Sequence, residues 1–203
     1  MRRALDVVVA SVVGVLSLPV AVVVALLVRW QLGRPVLFRQ RRSGREGVEF
    51  VIFKFRTMRP ERFPGEPDAE RDSRFGRILR SASLDEVPQL WNVLRGDMSL
   101  IGPRPTLPDQ VAHYNARQRG RLAVRPGVTG WAQVNGRNSI GWPEHIELDL
   151  WYIDHRSLVL DVRILGRTLA QALRPSGITG PGGVNSGFPV PADDSVEGCA
   201  PQV

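Results

Sequence analysis

The sequence predicts an α+β fold in which an apolar N-terminal helix precedes a small, mostly helical domain with a short β-hairpin and amphipathic helices. Residues 4–28 are almost wholly apolar, two short runs with strand character follow, and apolar residues then recur at helical spacing. A chain of 203 residues is long enough for one domain with a sizeable core and too short to expect two. We therefore predict a membrane-anchoring segment at 1–30, one compact domain at 31–174 and a disordered, glycine- and proline-rich tail at 175–203.

The N-terminal apolar segment is long enough to reach across a lipid bilayer. It would extend roughly 37 Å as a straight helix, against a hydrocarbon core of about 30 Å. A cleaved signal peptide is the alternative, since Arg2 and Arg3 resemble its charged start. The apolar run is longer than the roughly 7 to 15 residues usual in signal peptides, and it ends in Arg29 and Trp30 without a small-residue cleavage site. We therefore predict that the segment is kept as an anchor.

Both flanks of the anchor are basic, which conflicts with a straight span because the positive-inside tendency can satisfy only one flank. A bend removes the conflict. Pro19 lacks an N–H and its ring clashes with the preceding turn, and Ser17 can hydrogen-bond a freed backbone group. We predict a re-entrant helix, broken at Ser17 and Pro19, that enters and leaves the membrane on one face. A spanning helix is the alternative, since many spanning helices contain a proline.

The compact domain begins with a predicted β-hairpin and continues mostly as helices. Residues 36–40 and 48–55 have strand character and are joined by a polar loop. Residues 59–71 are rich in Pro, Glu and Gly and predict a surface loop. Helices are predicted around 75–79 and at 84–94, 110–122, 144–152 and 158–173, with a glycine-dense loop at 125–136.

The last predicted helix carries an apolar stripe that has two interpretations. The stripe consists of Leu158, Val162, Leu165, Leu169 and Leu173. Packing against the core is one interpretation. The other is an amphipathic helix at the membrane surface, with Arg163, Arg167 and Arg174 directed toward the lipid head groups.

The composition favours anionic partners and a cytosolic or cytosol-facing location. A formal net charge of +7, carried almost entirely by arginine, is typical of proteins that bind nucleic acid, phospholipid head groups or phosphorylated substrates. Cys199 is the only cysteine. A single chain therefore cannot build a disulfide framework or a cysteine-based zinc site.

An acidic pair stands at the predicted start of the helix over 84–94. Pro88 must lie in the first turn of that helix, which holds Asp85 and Glu86 at its N-terminus. One interpretation is helix capping, because Ser83 and Glu86 fit the Ser-x-x-Glu capping box. The other is chemistry, since an ionised carboxylate can attack phosphorus or bind Mg²⁺. Adjacent residues point about 100° apart on a helix, which suggests different tasks for the two carboxylates.

Cations that suit phosphate surround this pair in the sequence. Arg80 precedes it by about one turn, Arg104 lies between two prolines, and Arg137 ends the glycine-dense loop. Guanidinium groups match phosphate oxygens bidentately. Lys54 is the only lysine in the chain, so either a compact ammonium is needed there or one lysine has escaped a drift toward arginine.

Six motifs, in order over residues 4–173, resemble the bacterial sugar transferases, which are monotopic phosphoglycosyl transferases. Several of these motifs are too long for the match to arise by chance. They are the runs PVLFRQ at 35–40, KFRTM at 54–58, SLDEVPQL at 83–90, GDMSLIGPRP at 96–105, RPGVTGWAQVNGR at 125–137 and DLWYID at 149–154.

The resemblance implies a covalent, two-step transfer of a sugar phosphate. Asp85 would attack the sugar-bearing phosphate of a UDP-sugar and release UMP, and a polyprenyl phosphate would then displace the phosphosugar from the aspartate. Glu86 would complete the catalytic dyad, and Asp85 and Glu86 together would hold Mg²⁺. The resemblance also implies a bacterial inner-membrane enzyme with its catalytic domain, residues 31–174, facing the cytoplasm.

The resemblance further assigns binding residues and partners. UDP-sugar, polyprenyl phosphate and membrane lipids are the expected partners, with homodimer formation and without nucleic acid. Ser17 and Pro19 match the family's helix break only loosely, and the region 59–74 is shorter and more divergent than usual. The expected substrate- and phosphate-binding residues are Lys54, Arg56, Arg80, Arg104 and Arg137.

Two other functions compete with this expectation. A membrane-tethered nucleic-acid-binding or adaptor protein would explain the positive charge but not an acidic dyad among ordered phosphate-binding motifs. A conventional glycosyltransferase would move the sugar alone and release UDP instead of UMP. Nothing in the sequence selects the sugar.

Overall fold

The computed structural model describes residues 2–64, 66–136 and 140–173 as an α+β protein with an N-terminal apolar helix, as predicted. The predicted tail at 175–203 lies outside the described residues. The strands are β1 (Leu37–Ser43), β2 (Glu49–Phe55), β3 (Ser99–Ile101) and β4 (Gly127–Thr129). The helices are α1 (Arg2–Gln31), α2 (Asp68–Arg71), α3 (Arg74–Ser81), α4 (Gln89–Arg95), α5 (Pro108–Ala112), α6 (Ala116–Arg119), α7 (Trp131–Asn135), α8 (Trp142–Asp154) and α9 (Leu158–Leu173).

Helix α1 is continuous and is long and apolar enough to cross a membrane. It runs through Ser17 and Pro19 without ending, so the helix break predicted at these two residues is not present in this structure. The Ser17 hydroxyl donates to the carbonyl of Gly14 at 3.2 Å. Because Pro19 has no N–H, the carbonyl of Val15 loses its helical hydrogen-bond donor. The Ser17 hydroxyl bonds to the neighbouring carbonyl of Gly14 and not to that of Val15. The re-entrant path stays a prediction.

Both ends of α1 are held by the rest of the protein. At its start, Arg2 forms an ion pair of 2.9 Å with Asp161 of α9, and Asp6 accepts a hydrogen bond of 2.8 Å from the Ser99 hydroxyl. Near its end, α1 contributes Val24 and Val28 to a core cluster that also contains Phe55 and Leu79. The side chains between these two contacts are mostly exposed and apolar.

The predicted hairpin is confirmed, with β1 longer than expected. Strands β1 and β2 are antiparallel, and Phe38 pairs with Lys54, Ile52 with Gln40 and Arg42 with Phe50. Pairing continues to Ser43, so only a short 3₁₀ turn at Arg45–Gly47 connects the strands. Because alternate residues share a face, Phe38, Gln40, Arg42, Phe50, Ile52 and Lys54 lie on one side of the hairpin.

The segment predicted as a glycine-dense loop contains β4 and α7, and β4 pairs in parallel with β3. A Cβ on Gly127 would lie 2.1 Å from the backbone nitrogen of Gly102. Glycine is therefore required where the two backbones approach each other. This close approach fixes the start of the loop that carries Arg104.

Two further predictions of secondary structure need correction. The single helix predicted at 110–122 is divided into α5, α6 and a 3₁₀ turn, because the Asn115 side chain accepts from the Gln118 N–H and starts a new helix. The loop predicted at 59–71 contains the single-turn helix α2. Helices are confirmed where they were predicted around 75–79, at 144–152 and at 158–173.

The apolar stripe of α9 does not pack in the core. Val162 is 68% and Leu169 64% exposed, whereas Leu160 and Ile164 on another face are buried beside Ile101 and Tyr152. The interpretation of the stripe as core packing is therefore wrong for its described side chains. Its interpretation as a membrane-surface helix stays a prediction.

Candidate active site

The acidic pair lies on a tight turn before α4. Ser83 has a left-handed backbone (φ 55°), and Leu84–Glu86 form a 3₁₀ turn. The Ser83 side chain makes no capping hydrogen bond, so the predicted capping box with Glu86 is wrong. Helix α4 begins only after Pro88, which occupies its N-cap position. The turn leaves both carboxylates free to face the hairpin.

Lys54 reaches these carboxylates from β2. Its ammonium nitrogen lies 2.5 Å from Oε1 of Glu86 and 4.0 Å from Oδ2 of Asp85. The three side chains are largely buried, at 17%, 18% and 9% exposure for Lys54, Glu86 and Asp85. The only lysine of the sequence therefore joins the acidic pair as a compact cation.

The two carboxylates differ in their affinity for protons. Burial and then the negative charge of Glu86 raise the pKa of Asp85 to about 6. Burial would also raise the pKa of Glu86, but the positive charges of Lys54 and Arg104 outweigh it and lower that pKa to about 2. Glu86 is therefore a fixed negative charge, whereas Asp85 holds its charge less strongly.

Arg104 completes the contacts of Glu86. Both of its terminal nitrogens lie 3.3 Å from Oε1 of Glu86, and its side chain is about half exposed. The guanidinium group can therefore contact a ligand from solvent while it remains beside the acidic pair. The phosphate-binding role of Arg104 stays a prediction.

The other predicted phosphate-binding residues have different surroundings. Arg80 pairs with Asp72 and donates to the Thr57 hydroxyl at 3.0 Å. Arg56 is buried and donates to the backbone carbonyls of Leu32 and Arg34 just after α1. These contacts tie together structural elements and do not include the acidic pair. Arg137 lies outside the described residues.

Arg42 is a cation near the site that the sequence reasoning missed. It lies on the same face of the hairpin as Lys54, and its terminal nitrogens donate to Gln40 at 2.6 Å and to the Pro105 carbonyl at 3.2 Å. Its Nε is buried and has no hydrogen-bond partner in the described part of the chain. Burial and then the charge of Arg104 lower the pKa of Arg42 to about 10. Because every second residue of a strand faces the same side, extending β1 to Arg42 would have placed this residue on the face of Lys54.

A buried ion pair that the sequence reasoning also missed supports the Arg104 loop. Arg121 donates to Oδ2 of Asp149 from Nε at 2.9 Å and from Nη2 at 2.5 Å, and these side chains are only 2% and 1% exposed. The same guanidinium donates to the Arg104 carbonyl at 3.3 Å and to the Tyr114 hydroxyl at 2.6 Å. Asp149 begins the motif DLWYID at 149–154, but the sequence does not show that Arg121 is its partner.

The acidic pair suits Mg²⁺ better than a metal that needs a complete protein cage. Among residues 2–64, 66–136 and 140–173, no group of three His, Cys, Asp or Glu side chains could hold a metal ion. Mg²⁺ at phosphate-transfer sites commonly takes one or two carboxylates and completes its shell with water and substrate phosphates. Asp85 and Glu86 provide such a pair.

The chain is similar to one protein family and to several known proteins. The chain matches the family model described as bacterial sugar transferase over residues 1–175. It is 49% identical over 155 residues to the uncharacterized sugar transferase EpsL of Bacillus subtilis, covering 75% of this chain and 77% of that protein. It is 42% identical over 187 residues to the UDP-glucose:undecaprenyl-phosphate glucose-1-phosphate transferase of Caulobacter vibrioides, covering 85% and 69%. The exopolysaccharide production protein ExoY of Rhizobium meliloti is 35% identical over 188 residues, with 83% of each chain covered.

Proposed function

The chain belongs to the bacterial sugar transferase family. We propose that it transfers a sugar 1-phosphate from a UDP-sugar to a polyprenyl phosphate such as undecaprenyl phosphate. UMP is the second product. The observation that carries this proposal is the buried Asp85, whose pKa is raised to about 6, next to Glu86, Lys54 and Arg104. The substrate class is inferred from the names of the relatives, and the reaction mechanism is inferred from the residues of the site. In a cell this reaction would begin the assembly of an exopolysaccharide, O-antigen or glycoprotein glycan on its lipid carrier.

The proposed first step forms a bond between Asp85 and the sugar-bearing phosphorus. An ionised Oδ of Asp85 attacks, the bond from phosphorus to the bridging oxygen breaks, and UMP leaves with the bonding electrons. In the second step a phosphate oxygen of the lipid acceptor attacks the same phosphorus and Asp85 leaves as a carboxylate. Splitting the transfer in this way requires a nucleophile that is also a good leaving group, which a carboxylate is.

The charged residues around Asp85 stabilise the negative charge of the substrate phosphates. Arg104 can contact phosphate oxygens from solvent, and Lys54 limits the repulsion between the two carboxylates and the incoming diphosphate. Glu86 keeps both cations in place because it remains ionised. Mg²⁺ held by Asp85 and Glu86 would neutralise phosphate oxygens and stabilise the UMP leaving group.

We also propose that the protein is monotopic, at the cytoplasmic face of the bacterial inner membrane. The ion pair between Arg2 and Asp161 and the packing of Val28 hold both ends of α1 against one domain. A straight spanning path would carry one end about 30 Å away from that domain. The exposed apolar stripe of α9 and Trp30, which is 81% exposed, support contact with lipid.

The test of the proposed function is the nucleotide released from a UDP-sugar. We expect membranes or purified protein to release UMP when given a polyprenyl phosphate, and UDP-glucose is the first donor to test because the Caulobacter relative is named for it. Asp85→Asn should abolish UMP release. Asp68→Asn is the matched control, since Asp68 is an exposed acid on α2 that pairs with Arg71 at the surface. Release of UDP would instead support a conventional glycosyltransferase, and normal turnover by Asp85→Asn would rule out the covalent mechanism.

A further inference from the structure

A second cationic region lies at the start of α1, away from the acidic pair. It is a cavity of about 260 Å³ on the C-terminal side of α4, whereas Asp85 and Glu86 precede the N-terminus of that helix. The side chains around it come from α1, the hairpin turn, β3 and the segments before β4 and after α8. Its lining residues are Arg2, Arg3, Asp6, Arg45, Ser99, Ala123, Val124, Arg125 and Arg156.

Three of the five arginines in the cavity have no carboxylate partner in the described ranges. Arg3 donates to the carbonyls of Val93 and Leu94, at 2.5 and 2.9 Å. Arg125 donates from Nε to the carbonyl of Gly96 at 2.9 Å, and Arg156 lies 5.9 Å from the centre of the Tyr152 ring. Backbone carbonyls and an aromatic ring orient these side chains without neutralising their charge.

The one acid in the cavity lining, Asp6, compensates the arginines only in part. Asp6 accepts hydrogen bonds from the Ser99 hydroxyl at 2.8 Å and from the Leu100 N–H at 3.2 Å, and its single negative charge is smaller than the charge of the three arginines that are unpaired in the described ranges. Arg2 and Arg45 pair with Asp161 and Glu46, each at 2.9 Å. The cavity therefore keeps an uncompensated positive charge within a space that fits a phosphate group.

Apolar surfaces adjoin the cavity. The ion pair between Arg2 and Asp161 joins the first turn of α1 to the first turn of α9. On these two helices, Leu5 and Val8 of α1 and Val159 and Val162 of α9 are exposed. A ligand with a phosphate group and an apolar tail could place its phosphate in the cavity and its tail along α1 or α9.

We propose that this cavity binds the phosphate of an anionic membrane lipid, at a site distinct from the dyad. Guanidinium groups recognise phosphate oxygens bidentately, and Arg3, Arg125 and Arg156 provide three that are oriented but not neutralised. The inference rests on the proposed membrane location of α1. Two lipids share the required chemistry: an anionic phospholipid and the polyprenyl phosphate acceptor.

The test is a lipid titration of the full chain purified in a neutral detergent. Short-chain phosphatidylglycerol, short-chain phosphatidylcholine, glycerol phosphate and a short polyprenyl phosphate are added separately, and binding is followed by ³¹P NMR. We expect saturable binding of phosphatidylglycerol that is at least about tenfold tighter than that of phosphatidylcholine, because only the first has a net negative charge for the arginines to pair with. Equal affinity for the two phospholipids would overturn the proposal.

Single substitutions locate the site. Arg125→Gln and Arg156→Gln should each weaken binding of the anionic lipid about tenfold, since each removes a charge-assisted contact. Arg125→Lys keeps the charge and should retain most of the affinity. Arg117→Gln removes one exposed arginine that is paired with Glu147 outside the cavity, and should change nothing. If the Arg125 and Arg156 variants unfold like the wild type and bind lipid equally well, the cavity is not the site.

Two further measurements separate this site from the transfer reaction. Asp85→Asn should lose UMP release and keep lipid binding, so a failure of either proposal can be recognised without the other. If polyprenyl phosphate displaces phosphatidylglycerol and Arg125→Gln raises the KM for the acceptor, the bound lipid is the acceptor. If neither occurs while phosphatidylglycerol still binds, the bound lipid is a phospholipid.

Discussion

Lys54 lies against both carboxylates of the dyad, and its contribution is to keep two neighbouring acids ionised in a buried site. Without it, Glu86 would retain only Arg104, and the repulsion on an incoming diphosphate would increase. We predict that Lys54→Gln lowers the rate of UMP release about 100-fold. The rate is measured with saturating UDP-sugar and acceptor.

Arg41 supplies the control for this substitution. It lies on the opposite face of the same hairpin, is highly exposed and pairs with Glu49 at 3.5 Å. Arg41→Gln removes the same formal charge. Because Arg41 lies on the face opposite Lys54 and an exposed ion pair contributes little to stability, turnover should stay within about twofold of the wild-type rate. Turnover near the wild-type rate in Lys54→Gln would show that the ammonium is not part of the reaction.

The ion pair between Arg121 and Asp149 is almost fully buried. Asp149→Asn leaves a buried guanidinium without its counter-charge, and we expect a loss of about 3 kcal/mol in the free energy of unfolding. Glu147 lies two residues away on α8 and pairs with Arg117 in solvent, so Glu147→Gln should leave unfolding almost unchanged. Chemical denaturation in detergent measures both, and equal stability of the two variants would contradict the assigned role.

Residue types in the sequence marked several residues of the candidate site, and the family resemblance supplied their predicted roles. A lone lysine, an acidic pair and an arginine between prolines were visible as candidates, and the structure brings Lys54, Asp85, Glu86 and Arg104 together. Arg42 and Arg121 were not predicted, because their roles depend on strand pairing and on a partner 28 residues away in the chain. Arg80 looked equivalent to Arg104 in sequence, but Asp72 holds it elsewhere.

Among the elements, the parallel pair β3 and β4 holds the loop of Arg104 in position. A Cβ on Gly127 would meet the Gly102 nitrogen at 2.1 Å, and this contact is with backbone that cannot rotate away. We predict that Gly127→Ala destabilises the protein by several kcal/mol, on the order of 3 or more, through displacement of the paired strands. The change is measured by chemical denaturation in detergent.

Gly14 is the matched control for this substitution. A Cβ there would meet nothing within 4 Å, and the residue lies inside α1. Gly14→Ala should therefore be neutral or stabilise the helix by about 0.5–1 kcal/mol. Equal effects of the two substitutions would show that strand packing does not require glycine at 127.

Element types were easier to predict than element boundaries. Apolar periodicity identified α9 with its bounds, and strand character identified the hairpin, although β1 extends three residues beyond its predicted end at residue 40. The dyad turn was predicted as the start of one helix because the left-handed backbone of Ser83 has no sequence signal. Likewise, the glycines of 125–136 suggested a loop, whereas the structure uses Gly127 for close packing of strands.

At the scale of the whole molecule, the two anchored ends of α1 predict a one-sided membrane protein. In a Cys199→Ser background, a cysteine in an N-terminal tag and Asp68→Cys on α2 should both resist a membrane-impermeant maleimide in intact cells. Both should react after the inner membrane is permeabilised. Reaction of the N-terminal tag alone in intact cells would show that α1 spans the membrane.

In the proposed reaction of the whole protein, a water-soluble UDP-sugar and a lipid phosphate react in turn at Asp85. The most direct test is the mass of the full chain after incubation with a UDP-sugar that supports turnover, Mg²⁺ and no acceptor. We predict release of UMP and a mass increase of one sugar phosphate on the peptide that contains Asp85, both absent in Asp85→Asn. Turnover that gives UMP only when the acceptor is present, with an unmodified Asp85 peptide, would contradict the covalent mechanism.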